Sequence, residues 1–174
     1  MRLLVSHDAG GAEILSSWLL REGGADIACV LDGPARRVFE RKLGNRYAEV
    51  SLAEGLARAD ELLCGTSWQS TLELDAIAAA RAHGLRTIAW LDHWVNYRER
   101  FEHEGRAVLP DELWVGDEFA LARAREIFPQ LPVTLAGNPY FDDIRAEAKR
   151  LPVRPAGGPA TATIKLISEN NTGV

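Results

Sequence analysis

The sequence predicts an α/β protein with a doubly wound, mostly parallel sheet of seven strands and helices on both faces. Over the first 150 residues, short apolar runs alternate with longer segments whose apolar residues recur at helical spacing. Glycine, proline or capping residues separate most of these segments. The chain has 174 residues, of which 47% are hydrophobic and 26% are charged, a balance that suits one α/β domain with a substantial core.

The apolar runs predict the strands. They are short and mostly uninterrupted by polar residues, which is typical of parallel strands buried on both faces. The predicted strands cover residues 2–7, 27–31, 47–50, 62–65, 87–91, 113–115 and 133–137. Cys29 and Cys64 lie within two of these runs, so we expect buried, unpaired thiols.

The segments between the strands predict the helices. The first covers residues 12–21, and the second begins at Asp32-Gly33-Pro34 and ends at Leu43. Thr66 and Gln69 have the spacing of a capping box, which predicts a long helix from there to His83. Further helices are predicted over residues 52–58, 117–128 and 138–150.

Composition excludes several functional classes. The net charge of −5 does not suit a nucleic-acid-binding surface. No apolar run approaches the ~18 residues of a membrane span, and the run at residues 3–5 is too short for a secretory signal. We therefore expect a cytoplasmic protein without a membrane span or a nucleic-acid partner. No motif predicts a metal site or a cofactor.

The last two dozen residues differ from the rest. Residues 151–163 are rich in proline and glycine and are predicted to be a linker. Residues 164–168 resemble one more strand. It either pairs with an edge of the main sheet or begins a second domain, of which residues 164–174 would be a stub.

Candidate functional residues follow the strand ends, because open α/β sheets bind ligands beyond the carboxyl ends of their strands. His7 and Asp8 follow the first strand, and Asp92 and His93 follow the fifth. In a doubly wound sheet these strands flank the fourth, so both pairs are predicted to face one cleft. His7 is a candidate general base, and Asp8 either orients it or takes that role itself.

Four further residues are candidate substrate-binding groups. Gly10 and Gly11 would let a ligand approach the first helix, and Thr66 and Ser67 lie at the end of the fourth strand. Structural explanations compete: a tight turn for the glycines, helix capping for Asp8 and for the hydroxyls. The sequence contains neither G-x-G-x-x-G nor G-K-[ST].

Aromatic and basic residues cluster after the fifth strand, at Trp94, Tyr97, Arg98 and Arg100. Such a cluster suits a sugar face or an anionic group. The alternative is a partly exposed helix whose arginines pair with nearby glutamates, Glu99 and Glu102.

Four passages resemble the N-terminal half of GT-B glycosyltransferases and the related UDP-N-acetylglucosamine 2-epimerases. They are LLVSHDAGGAE (3–13), LLCGTSWQSTLE (62–73), TIAWLDHWVNYRERF (87–101), and DELWVGDEFALARAREIFP with VTLAGNPYFDD (111–129 and 133–143). The resemblance covers roughly residues 1–150 and implies a Rossmann-like fold of the GT-B N-terminal type.

The resemblance implies a function in which this half holds a hydroxyl acceptor and a second domain binds the nucleotide-sugar. His7 or Asp8 would then be the catalytic base. The implied process is polysaccharide or cell-surface glycan biosynthesis. The implied substrate-binding residues are Gly10, Gly11, Thr66, Ser67, Asp92, His93 and Asn138. Residues 151–163 match the interdomain crossing, so the chain is expected to be inactive without a donor domain.

Two other functions stay open. One is a stand-alone module that binds a nucleotide or a small anion. The other is a non-catalytic remnant that forms a homo-oligomer through residues 164–174.

Overall fold

A seven-stranded, all-parallel sheet forms the centre of the protein, in a computed structural model that describes residues 1–22 and 26–150. The strands are β1 (Arg2–Ser6), β2 (Ile27–Leu31), β3 (Ala48–Glu49), β4 (Glu61–Cys64), β5 (Arg86–Leu91), β8 (Glu112–Val115) and β9 (Val133–Leu135). Their order is β3-β2-β1-β4-β5-β8-β9, so the chain winds outwards in both directions from the β1–β4 pair. The predicted doubly wound, Rossmann-like fold is confirmed.

Helices follow most strands. They are α1 (Ala9–Glu22), α2 (Gly33–Leu43), α3 (Leu52–Leu56), α4 (Leu72–Ala82), α5 (Glu118–Ile127) and α6 (Pro139–Ala148). A single 3-10 turn (Glu99–Phe101) leads into a two-stranded antiparallel hairpin of β6 (Glu102–His103) and β7 (Arg106–Ala107). The hairpin is absent from the sequence prediction because its four strand residues are exposed and have no apolar pattern.

Both faces of the sheet are buried. Leu3 and Val5 of β1 pack with α3, α4 and α5, whereas Leu4 between them packs with α1 and α2 on the other face. This alternation explains why the strands have no polar face in the sequence. Cys29 and Cys64 are buried free thiols, as predicted.

The predicted start of α4 is wrong. Thr66 does not cap a helix, since α4 begins only at Leu72. The Thr66 hydroxyl donates to Asp92 instead, and Ser67 Oγ accepts the main-chain N–H of Gln69 in a local turn. A long-range partner thus outcompetes the local capping bond.

Three other helix starts among the described residues use side-chain caps. Ser51 accepts the N–H of Glu54 at the start of α3. Asp117 accepts the N–H of Ala120 at the start of α5, and Asn138 accepts the N–H of Phe141 at the start of α6.

The described part of the chain contains no helix that is both long and apolar enough to cross a bilayer. The predicted linker (151–163) and the predicted final strand (164–168) lie outside the described residues.

Candidate functional site

The carboxyl ends of β1, β4 and β5 meet at one edge of the sheet, because β4 lies between the other two. The first turn of α1 and the loop after β4 touch backbone to backbone. A Cβ added to Gly11 would lie 3.1 Å from the Cα of Gly65, closer than side chains normally approach. Glycine at both positions therefore lets the helix and the loop meet.

His7 and Asp8 form a hydrogen-bonded pair at this edge. His7 Nδ1 lies 2.8 Å from Asp8 Oδ1, and the two side chains are 18% and 23% exposed. With Nδ1 protonated, the imidazole keeps its lone pair on Nε2, which is the arrangement of a general base with an orienting carboxylate. The ring lies against Gly33, where a Cβ would come within 2.5 Å of His7 Nε2.

Glu73 bonds to the main chain of this pair and is not among the residues predicted from the sequence. It lies in the first turn of α4 and is only 3% exposed. Its Oε1 accepts the main-chain N–H of His7 at 2.7 Å. Burial raises the pKa of Glu73 to about 7. The helical spacing in the sequence could have indicated its burial. Glu73 lies three, four and seven residues before Ala76, Ile77 and Ala80, so all four lie on one face of α4, and that face is buried.

Asp92 belongs to a buried ion-pair network. Its Oδ1 accepts the Thr66 hydroxyl at 3.2 Å and lies 3.3 Å from Arg100 Nη1. Arg100, itself 6% exposed, also donates to the Thr66 carbonyl and hydroxyl oxygens. Burial raises the pKa of Asp92, and the positive charges of His93 and Arg100 oppose that change. The network ties the β4 and β5 loops to the 3-10 turn.

A carboxylate lies beside the start of α1. A Cβ on Gly10 would overlap Asp92 Oδ2, so this carboxylate lies against the first turn of the helix. Its negative charge is favourably placed near the positive end of the helix dipole. Gly10 accommodates Asp92, a packing role that sequence inspection did not foresee.

The remaining candidate residues are more dispersed. Ser67 is buried in its local turn, whereas His93 is half-exposed with Nε2 3.5 Å from Asp92 Oδ2. Asn138 caps α6 and lines a separate hollow of about 370 Å³, together with Trp18 and Trp90. The structure therefore brings Thr66, Ser67, Asp92 and His93 close to His7 and Asp8, whereas Asn138 follows β9, the outermost strand, farther along the same sheet edge.

The aromatic and basic cluster is divided among different contacts. Trp94 Nε1 donates to Asp117, and Tyr97 is buried in the core. The Arg98 guanidinium lies over the Phe128 ring, 5.9 Å from its centroid. Trp94, Tyr97 and Arg98 line one hollow of about 390 Å³, whereas Arg100 belongs to the Asp92 network. Among the described residues, neither arginine pairs with Glu99 or Glu102.

Two hollows adjoin the His7–Asp8 pair, and both are lined by Trp68 and Gln69, two exposed residues of the loop after β4. One, of about 430 Å³, is lined by Asp8, Asp92, His93 and Arg100 among others. The second, of about 390 Å³, is lined by His7, Ser70, Thr71, Glu99, Glu102 and His103 among others. Trp68, which is 53% exposed, borders both.

The charges of these hollows disfavour anions. In the first, the single guanidinium is already paired with Asp92 while Asp8 adds a second carboxylate. The second contains Glu99 and Glu102 and is lined by neither lysine nor arginine. Like charges in a cleft repel an anionic ligand, whereas hydroxyl groups can donate to carboxylates.

Within residues 1–22 and 26–150, no group of three or more His, Cys, Asp or Glu side chains is placed to hold a metal ion. The chain was compared with family models, curated proteins and solved structures, and none of them matches it.

Proposed function

We propose that this chain is the acceptor-binding half of a glycosyltransferase, which transfers a sugar from a nucleotide-sugar to a hydroxyl acceptor in polysaccharide or cell-surface glycan biosynthesis. The observation that carries the proposal is the His7–Asp8 pair, with 2.8 Å between Nδ1 and Oδ1, between two open hollows at the sheet edge. Such a pair can remove the proton of an attacking hydroxyl, a contribution of about 10²–10⁴-fold in rate.

The chemistry of the hollows supports a neutral, hydroxylated acceptor. Carboxylates line both hollows, and the hydroxyls of Ser70 and Thr71 line the second. The exposed Trp68 ring offers an apolar face on which a sugar ring can pack. In the reaction, the acceptor oxygen would bond to the anomeric carbon of the sugar as the bond from that carbon to the nucleoside diphosphate breaks. His7 Nε2 would take the proton of the acceptor hydroxyl, and the nucleoside diphosphate would leave. Asp8 would stabilise the resulting imidazolium.

The alternative of a stand-alone nucleotide or anion module is less well supported. The Asp92 carboxylate lies beside the start of α1 and would repel a phosphate there, and both hollows carry an excess of carboxylates. The self-associating remnant depends on residues 164–174, outside the described residues, and stays a prediction. A chain that is monomeric with and without those residues would exclude it.

Ligand-observed NMR on the 174-residue chain tests the acceptor preference. We expect saturation transfer to neutral oligosaccharides and none to nucleoside diphosphates. Trp68→Ala should weaken the signal, whereas Trp94→Ala, which removes another exposed tryptophan that lines neither hollow, should leave it unchanged. Binding of nucleotides without binding of any sugar would favour the nucleotide module instead.

Activity tests the role of the pair. With a donor domain supplied and a nucleotide-sugar and acceptor present, release of nucleoside diphosphate is expected to fall at least 100-fold in His7→Ala and Asp8→Ala, at the lower end of the ~10²–10⁴-fold range for general-base catalysis. Glu118→Gln offers a control, since Glu118 is exposed in α5 and lines neither hollow. Full activity in both dyad variants would refute the assignment.

A further inference from the structure

Glu73 is the most unusual side chain near the sheet edge. Glutamate is rarely buried without a charged partner, yet Glu73 is 3% exposed and makes no ion pair among the described residues. A glutamate in the first turn of a helix is normally exposed, where it stabilises the helix dipole. Here the side chain turns inward towards the end of β1 instead.

The hydrogen bond that Glu73 accepts positions the main chain of His7, the proposed base. Oε1 accepts the His7 N–H at 2.7 Å, and on the other side of that residue the His7 carbonyl accepts the N–H of Ala35 in α2. The imidazole is then held by Asp8 and by contact with Gly33. Glu73 is therefore one of the contacts that set the position from which His7 presents its ring.

The second carboxyl oxygen of Glu73, Oε2, is buried and has no hydrogen-bond partner among the described residues. An ionised oxygen in such a place is costly, which favours the protonated acid. Three ionisable groups act on this carboxyl or respond to it: His7 and Asp8 after β1, and the Cys64 thiol of β4.

We infer that Glu73 is a positioning residue for the His7–Asp8 pair: its carboxyl holds His7 at the end of β1, and its charge is coupled to the charges of that pair. The inference rests on the proposed role of His7 as a base, and it adds Glu73 to the His7–Asp8 pair as a third residue. The Glu73 carboxyl takes up or releases a proton near neutral pH, because burial raises its pKa to about 7 while the bond from the His7 N–H opposes that change.

NMR on the 174-residue chain tests the inference without any substrate. The carboxyl carbon of Glu73 and the main-chain N–H of His7 are followed between pH 5 and 9. We expect both signals to change together with a midpoint of about 7, since the amide donates to the titrating group. His7→Asn retains the main-chain bond, so its residue-7 amide should still show a step, which excludes the imidazole as its source. The midpoint should move to higher pH, because the His7 charge that lowers the pKa of Glu73 is gone.

Glu73→Gln preserves the size of the side chain and an oxygen acceptor. It should abolish the pH step while the contact between the His7 ring and Gly33 remains visible as a nuclear Overhauser effect. Glu73→Ala should lose both. Glu118→Gln, which changes an exposed glutamate in the first turn of α5, should behave as the wild type.

The absence of a titration step at Glu73 in the wild-type chain would overturn the inference, as would an unchanged step in Glu73→Gln. If Glu73→Ala does not fold, the wild type and Glu73→Gln still decide. If the chain binds no sugar but Glu73 still titrates as expected, the result counts against the proposed function. The coupling between Glu73 and the His7–Asp8 pair would then remain.

Discussion

Replacement of Glu73 by glutamine is expected to change how the stability of the protein depends on pH. The carboxyl is buried at the end of β1, and its pKa in the folded chain is about 7, against an ordinary value of 4.5. The folded state therefore holds this proton more tightly than the unfolded state does. Glutamine has no proton to lose, so the substitution removes this dependence while it preserves the shape of the side chain.

The sign follows from linkage. A group whose pKa is raised by folding contributes stability that is fully present below about 4.5 and is lost as the pH rises through about 7. The interval between these values corresponds to about 3 kcal/mol, at roughly 1.4 kcal/mol per pH unit. The wild type should thus lose about 3 kcal/mol of unfolding free energy relative to Glu73→Gln between pH 4.5 and 8.

Urea unfolding followed by circular dichroism at several pH values measures this difference. Taking the difference between the two proteins cancels the groups that titrate alike in both. Glu118→Gln, an exposed glutamate at the equivalent place in α5, should show no pH-dependent difference. A difference between wild type and Glu73→Gln that stays constant within about 0.5 kcal/mol across this pH range would refute the reasoning, because mutational differences of that size are within ordinary scatter.

Three further substitutions or reactions follow from the same structure. Asp92→Ala should cost about 3–5 kcal/mol in urea unfolding, because it leaves a buried guanidinium unpaired; a cost like that of an exposed residue would contradict the buried network. Gly33→Ala should destabilise the chain by about 1–3 kcal/mol, since φ is +50° and the new methyl meets the His7 ring; the crystal structure of the variant should show that ring displaced, and an undisturbed ring would count against the packing described. Cys29 and Cys64 should react with a thiol reagent only after unfolding, because burial raises the pKa of Cys29 to about 12 and raises that of Cys64 well above its ordinary value; rapid labelling of the native chain at pH 8 would contradict this.

Most of the fold could be predicted because its signals are local. An apolar run such as residues 27–31 is buried on both sheet faces whichever strands adjoin it, so its composition identifies it as a strand. The β6–β7 hairpin has no such signal, since its strands are two residues long and exposed. Thr66 misled the prediction for a different reason: its local capping pattern was genuine, but its hydroxyl had a better partner in Asp92.

The candidate site was predictable only in outline. The chain order of the strands placed His7 and Asp92 at the same sheet edge, which the structure confirms. The contacts that define their chemistry were beyond local patterns. Whether Gly10 admits a ligand or accommodates the Asp92 carboxylate depends on how closely the β5 loop approaches α1.

The sequence by itself determined the class of fold, the burial of the strands and the position of the His7–Asp8 pair at a strand end. Only the tertiary structure decided what each polar group there bonds to: Arg100 and Thr66 for Asp92, and the His7 main chain for Glu73. The physical reason is separation. Residues 7 and 73 lie 66 positions apart, and their contact exists only because β1 and β4 are neighbours in the sheet with α4 packed against both.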